Sequence, residues 1–179
     1  MAVQFTTPRL KIYQVPTSRT GNEDALIAAI PSLLTPNVVA HLPPYFHGIA
    51  NADQAQAWLD KMRSESQLFI IESQQSARTS EANATDHDSP IIGFMFIYSE
   101  QQTAHLGYLL AEPYWGQGLA RELLTHLVPW AKQQHQWHSL VGGVSTDNPA
   151  SSHLLTSLGF TKQPHEANAD KVFYSLLLQ

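Results

Sequence analysis

The chain has no cysteine among its 179 residues. That excludes a thiol nucleophile, a disulfide framework and thiolate metal ligation, and nothing points to an oxidising compartment. Basic residues are also scarce: 10 Lys and Arg stand against 15 Asp and Glu, a formal net charge of −5. Nucleic-acid affinity is built largely from clustered cations facing phosphates, so no nucleic-acid partner is expected. An anionic ligand would have to be held chiefly by backbone N–H groups at a helix N-terminus, which needs almost no side-chain charge. No apolar run approaches bilayer-spanning length, and residues 1–10 lack a long apolar core behind a positive segment. The expectation is a cytoplasmic protein with no membrane contact. Internal repeats are absent as well.

What the sequence does contain is 43% hydrophobic residues with only 14% charged ones, enough apolar surface for one sizeable core and a single domain over 1–179. Alternation over residues 8–15 predicts a first strand beginning just after Pro8. Helical spacing runs from 23 to 34, and a second helix is expected from Asp53 as N-cap to about Ser64, with Trp58, Leu59 and Met62 inward. The stretch between them, 41–48, carries prolines and aromatic rings; it could line a substrate pocket, although packing of an ordinary loop is the simpler expectation. Strands are predicted at 68–71, 91–98 and 103–111, the last two joined by a polar turn at 99–101 as in an antiparallel meander. Residues 73–89, polar and without apolar periodicity, read as a mobile loop.

A long amphipathic helix is predicted over 118–134, with Leu119, Leu123, Leu124 and Leu127 on its stripe and Pro129 kinking or shortening its last turns. A strand at 139–145, a helix at 149–158 and a strand pair around Phe160 and 172–178 complete the pattern. Tyr13, Trp58, Trp130 and Phe173 fall within apolar patterns and are expected in the core. His135-Gln136-Trp137-His138 has no carboxylate nearby, so no metal is expected.

The chemistry is carried by Tyr114-Trp115-Gly116-Gln117-Gly118-Leu119-Ala120-Arg121, a glycine turn between a strand and the long helix. Glycine lets backbone approach a ligand closely, and the helix N-terminus supplies unpaired N–H groups with a favourable dipole, so such a turn can hold a phosphate. Arg121 could add a charge-assisted contact. A second block, Asp147-Asn148-Pro149-Ala150-Ser151-Ser152, precedes Leu158-Gly159-Phe160. Asn148 suits an N-cap before a proline at the first helical position, and Gly159 suits a helix end.

Taken alone, each block also fits a plain strand-to-helix corner or a capped helix. Together, in this order and spacing, they resemble the GNAT superfamily of acyl-CoA-dependent N-acyltransferases. Trp115 stands where that family usually has Arg or Gln, a variant that looks like the RimJ/RimL-like ribosomal-protein acetyltransferase branch. The resemblance covers essentially the whole chain. It implies an α+β fold, with a mixed, mostly antiparallel central sheet flanked by helices, and acetyl-CoA as co-substrate. It places the pyrophosphate on Gly116, Gln117, Gly118, Leu119, Ala120 and Arg121. The pantetheine would lie along the main chain of Leu109, Leu110 and Ala111, with Asn148 and Ser151 near the thiol.

By resemblance the reaction is direct attack of a primary amine on the thioester, with no covalent enzyme intermediate. The backbone N–H near Leu110 is a candidate oxyanion donor, and Ser151 a candidate proton donor to the departing thiolate. His105, in Ala104-His105-Leu106-Gly107-Tyr108, occupies a position where many relatives carry Glu, and an imidazole could accept a proton through water. The acceptor is left open between a protein N-terminus and a small amine, amino acid or antibiotic. A catalytically degenerate acyl-CoA sensor or scaffold is the rival reading. Oligomeric state is equally open, a homodimer included.

Overall fold

The computed structural model describes residues 2–21, 23–74, 89–164 and 170–178. Its frame is an eight-stranded sheet in the order β1-β2-β3-β4-β5-β6-β8-β7. The strands are β1 (Ala2–Thr6), β2 (Leu10–Gln14), β3 (Gln67–Ser73), β4 (Ile91–Glu100), β5 (Thr103–Leu110), β6 (Ser139–Ser145), β7 (Thr161–Lys162) and β8 (Lys171–Leu177). Every neighbouring pair is antiparallel except β5 and β6, which run parallel. The helices are α1 (Asp24–Leu33), α2 (Pro36–Val39), α3 (Ala52–Glu65), α4 (Leu119–Gln133) and α5 (Pro149–Ser157). Among the described residues no helix is long and apolar enough to cross a membrane.

Strand β3 shows why the sheet sits in the middle. Leu68, Phe69, Ile70 and Ile71 are all buried, and a strand alternates its side chains between two faces. Leu68 and Ile70 therefore join α1 and α3 in one core, while Phe69 and Ile71 join α4 in the other. The α4 stripe matches its sequence pattern, with Leu123, Leu124 and Leu127 fully buried. The helix runs through Pro129 to Gln133, one residue short of the expected end at 134. Helix α5 is capped as its sequence implies: the Asn148 side chain accepts from the Ser151 N–H at 3.1 Å, and Gly159 adopts φ +89°.

Several expectations change. Strand β1 was not foreseen, because it is a mostly exposed edge strand whose pattern carries little hydrophobic signal. Helix α3 starts one residue after Asn51, whose Oδ1 accepts from the Gln54 N–H at 2.9 Å, so Asp53 lies inside the first turn instead of capping it. The β4–β5 connection is Gln101-Gln102, flanked by the pair Glu100 and Thr103, with Gln101 at φ +52°. Trp58 and Trp130 are buried, but Tyr13 is only half-buried and Phe173 is 45% exposed. The last difference is topological: Val172 and Tyr174 take the buried face of β8, and alternation sends Phe173 to the opposite one. The loop predicted over residues 73–89 falls largely on 75–88, outside the described residues, and Ser73 itself ends β3.

Candidate functional site

Strands β5 and β6 pair from Thr103 with Ser139 to Leu106 with Gly142, and there the ladder stops. Beyond it, Gly107–Leu110 and Gly143–Ser145 diverge. Ala111 donates its N–H to Ile92 O at 2.8 Å, toward β4. Antiparallel pairing alternates such groups between the two sides of a strand, so the main chain of Tyr108 and Leu110 faces the gap. A cleft of about 710 Å³ opens there, lined among others by Tyr108, Leu109, Leu110, Gly116, Gly118 and Ser151.

One wall is the N-terminus of α4. Gly116 and Gly118 both adopt left-handed backbone, φ +70° and +76°. Gly118 is the N-cap residue and no side chain caps the helix. Its first internal bond runs from the Glu122 N–H to Gly118 O, which leaves the N–H groups of Leu119, Ala120 and Arg121 without intrahelical partners. The turn is anchored from behind. The Trp115 indole N–H donates to Leu110 O at 2.7 Å, and the Gln117 amide donates to Pro113 O at 2.7 Å.

A second cation, missed in the sequence, comes from the start of β2. The Arg9 Nη1 donates to Gln117 O at 3.0 Å, while its Nε contacts Glu122 Oε2 at 2.6 Å. Glu122 also accepts from the Thr7 hydroxyl and from the Arg9 N–H. Burial pushes the Glu122 carboxyl up, but the bonds from Thr7 and Arg9 outweigh it and hold the carboxyl below its ordinary value. Only Arg121, adjacent in sequence, was legible as a basic residue here; Arg9 lies over a hundred positions away, and only the register of β2 against the rest of the sheet delivers it.

The far wall comes from α2 and the residues after it, with Asn37, Val38, His41 and Leu42 lining the cleft. Thr35 caps α2 and, with Asn37, donates to Glu112 in the short turn after β5. Those two bonds hold the Glu112 carboxyl below its usual range. Part of the 41–48 stretch thus lines the cleft, while Phe46 packs into the core beneath it.

The candidate catalytic residues fall on opposite faces of the sheet. Ser151, on α5, lines the cleft with Tyr108, whose phenol burial pushes above its usual value against a smaller opposing effect of Ser151. His105 lies on the α1/α3 face, opposite Tyr98 of β4, with Nε2 3.6 Å from Glu100 Oε2 and its side chain 36% exposed. It does not line the cleft, and neither do Ala111 and Gln117. Tyr108 was not singled out in the sequence, where it reads as half of an ordinary Gly-Tyr strand pair. Among the described residues no group of three or more His, Asp or Glu is placed to hold a metal.

The sequence model of the family described as "Acetyltransferase (GNAT) domain" matches residues 22–161. The uncharacterized N-acetyltransferase YoaA of Bacillus subtilis is 31% identical over 72 residues, 40% of this chain and 41% of that protein. The uncharacterized N-acetyltransferase p20 of Bacillus licheniformis is 32% identical over 79 residues, 44% of each. The chain thus matches less than half the length of these curated relatives. Among solved structures, the RimL ribosomal L7/L12 alpha-N-protein acetyltransferase in complex with coenzyme A aligns over 98% of both chains with a TM-score of 0.73 and 14% identity. The spermidine N-acetyltransferase of Vibrio cholerae, in complex with CoA and spermine, aligns over 94% of this chain and 95% of that one, with a TM-score of 0.68 and 16% identity. At such identities the likeness is one of fold.

Proposed function

The chain belongs to the GNAT acetyltransferase family, and from that premise we propose that it moves an acetyl group from acetyl-CoA to a primary amine. The acceptor is either a protein N-terminus, in keeping with the RimJ/RimL-like Trp115 variant of the glycine turn, or a small amine. The observation that carries this reading is that two backbone edges meet in one cleft. The uncapped N–H groups at the start of α4 open onto the same cleft as the unpaired edge of β5.

The residues present suit the donor. Gly116, Gly118 and the N–H groups of Leu119, Ala120 and Arg121 offer a pyrophosphate a cradle that a side chain at either glycine would strain. Leu110 and Tyr108 offer main-chain groups to the pantetheine. Of the main-chain groups expected at this edge, the Ala111 N–H is committed to Ile92 and the Leu110 carbonyl to Trp115. The Leu110 N–H and the Tyr108 backbone are therefore the groups this edge can offer the pantetheine. Leu109 lines the cleft, and Asn148 keeps Ser151 at the first turn of α5.

Acetyl-CoA supplies the activated thioester. The Leu110 N–H faces the gap and can donate to an oxygen on which negative charge develops. Ser151 can deliver a proton to a sulfur leaving toward α5 and recover one from water in the cleft, directly or through the Tyr108 phenol. His105, on the other face, can take the proton shed by the amine through water, while Glu100 orients the ring. Release of CoA in the presence of peptides and small amines tests the scheme. His105→Ala should lower turnover about a hundredfold and leave acetyl-CoA binding intact; unchanged turnover removes His105 from the reaction. Ser151→Ala should lower kcat, with partial retention if Tyr108 delivers its proton through water. Binding of acetyl-CoA without turnover of any amine would favour the sensor or scaffold reading.

A further inference from the structure

A second cleft, of about 570 Å³, lies along the α1/α3 side of the sheet. It meets the first at Tyr108 and Leu42, which line both. Gly107 and Gly143 also line it, and these are the residues immediately past the last β5–β6 pair. A molecule in the second cleft therefore comes up to the gap on which the first one opens, at a glycine on each strand, with the Phe173 ring of β8 packed against Gly143.

Its walls are apolar and aromatic. Leu42, Pro43, Phe46, Met62 and Phe96 form the interior, with Phe46 and Phe96 in edge-to-face contact at 5.5 Å and 87°. Tyr45 and Tyr98 stand at the margin, 45% and 52% exposed. Among the described residues the charged groups lining the cleft are Glu65 and Lys171. Glu65 is already paired with Lys61, whose ammonium sits 4.8 Å over the Tyr45 ring. A chain bearing several ammonium groups would bring its second and third charges against rings and methylenes, with the one carboxylate engaged, and such desolvation is costly. A single amine on an apolar body instead places its one charge at the gap and its body among the rings.

Resting on the acetyltransferase reading, we infer that the acceptor is a monoamine joined by a short link to an aromatic or bulky aliphatic group. Two sources present that chemistry: a free arylalkylamine, or a polypeptide beginning with a large apolar residue. Polyamines are excluded as good acceptors.

The test is steady-state acetylation by the purified chain with 2-phenylethylamine, a peptide beginning with Phe, a peptide beginning with Ser, and spermidine. The inference expects kcat/KM for one of the two apolar acceptors to exceed that for spermidine by about tenfold or more, the usual discrimination of an apolar pocket. The free amine and the Phe peptide separate the two sources. Tyr98→Ser combined with Tyr45→Ser should reduce that preference about tenfold while the thermal shift with acetyl-CoA persists. Spermidine equal to or better than both apolar acceptors, or a preference that survives loss of both rings, overturns the inference. Acetyl-CoA binding with no turnover of either apolar acceptor overturns it too, whereas absence of acetyl-CoA binding defeats the acetyltransferase reading itself.

Discussion

Arg9 illustrates how much of the site is built by single side chains acting at a distance. It fixes the carbonyl of Gln117 while its own Nε and N–H are held by Glu122, so it both orients the glycine turn and adds positive potential beside it. Arg9→Met should raise the KM for acetyl-CoA about tenfold, leave kcat near its starting value and be partly rescued by Arg9→Lys; initial-rate kinetics separate these outcomes. Gly93 makes the opposite point, that some residues matter for what they lack. A Cβ there would lie 2.1 Å from the carbonyl oxygen of Leu109, which is backbone and cannot swing aside. Gly93→Ala should therefore part β4 from β5 and cost about 3 kcal/mol or more, read by denaturant unfolding. A loss under 1 kcal/mol would mean that the strands are free to separate there.

At the scale of elements, boundaries follow capping and chain reversal more than propensity. Helix α4 ends with His135 at φ +53°, a left-handed position that glycine fills without strain. His135→Gly should accordingly stabilise the protein by about 1 kcal/mol, measured as a raised denaturation midpoint. The strong elements were legible in the sequence because their residues repeat a period: the stripe of α4, the apolar run of β3, and Asn148 and Gly159 bracketing α5. The weak ones were not. Strand β1 draws its order from pairing with β2, and α2 is a four-residue helix held by Thr35 and by Glu112 across the cleft. Neither has a pattern of its own. The candidate site divides the same way. The glycine turn and the Asn148 helix are local and could be read, whereas Arg9, Tyr108 and the second cleft exist only once distant segments meet.

Across the whole molecule, one buried and one partly buried carboxylate tie remote segments together. Glu23 pairs with Arg63 at 2.9 Å, joining the start of α1 to α3, and Glu122 joins α4 to the start of β2. Burial pushes the Glu23 carboxyl up, but bonds from Thr20 and Arg63 outweigh it, so both carboxyls titrate below their unfolded value. The unfolded chain therefore binds protons more readily, and the stabilisation is present above the ordinary glutamate pKa of about 4.3 and lost as pH falls through the depressed folded values. Unfolding free energy should decline below about pH 4.3, and the decline should be shallower in Glu23→Gln and Glu122→Gln. Because Arg63 is buried with few other partners, Glu23→Gln should also cost about 3 kcal/mol at neutral pH.

The central claim is that the gap between β5 and β6, together with the glycine turn of α4, is an acyl-CoA site. Thermal unfolding with and without acetyl-CoA addresses it most directly. Ligand at 100 times its dissociation constant should stabilise the native protein by about 2.7 kcal/mol, and Gly118→Val, which places a branched side chain at φ +76° in the cradle, should abolish the shift. A native protein whose unfolding is unmoved by millimolar acetyl-CoA, or a Gly118→Val variant that keeps the full shift, would contradict it.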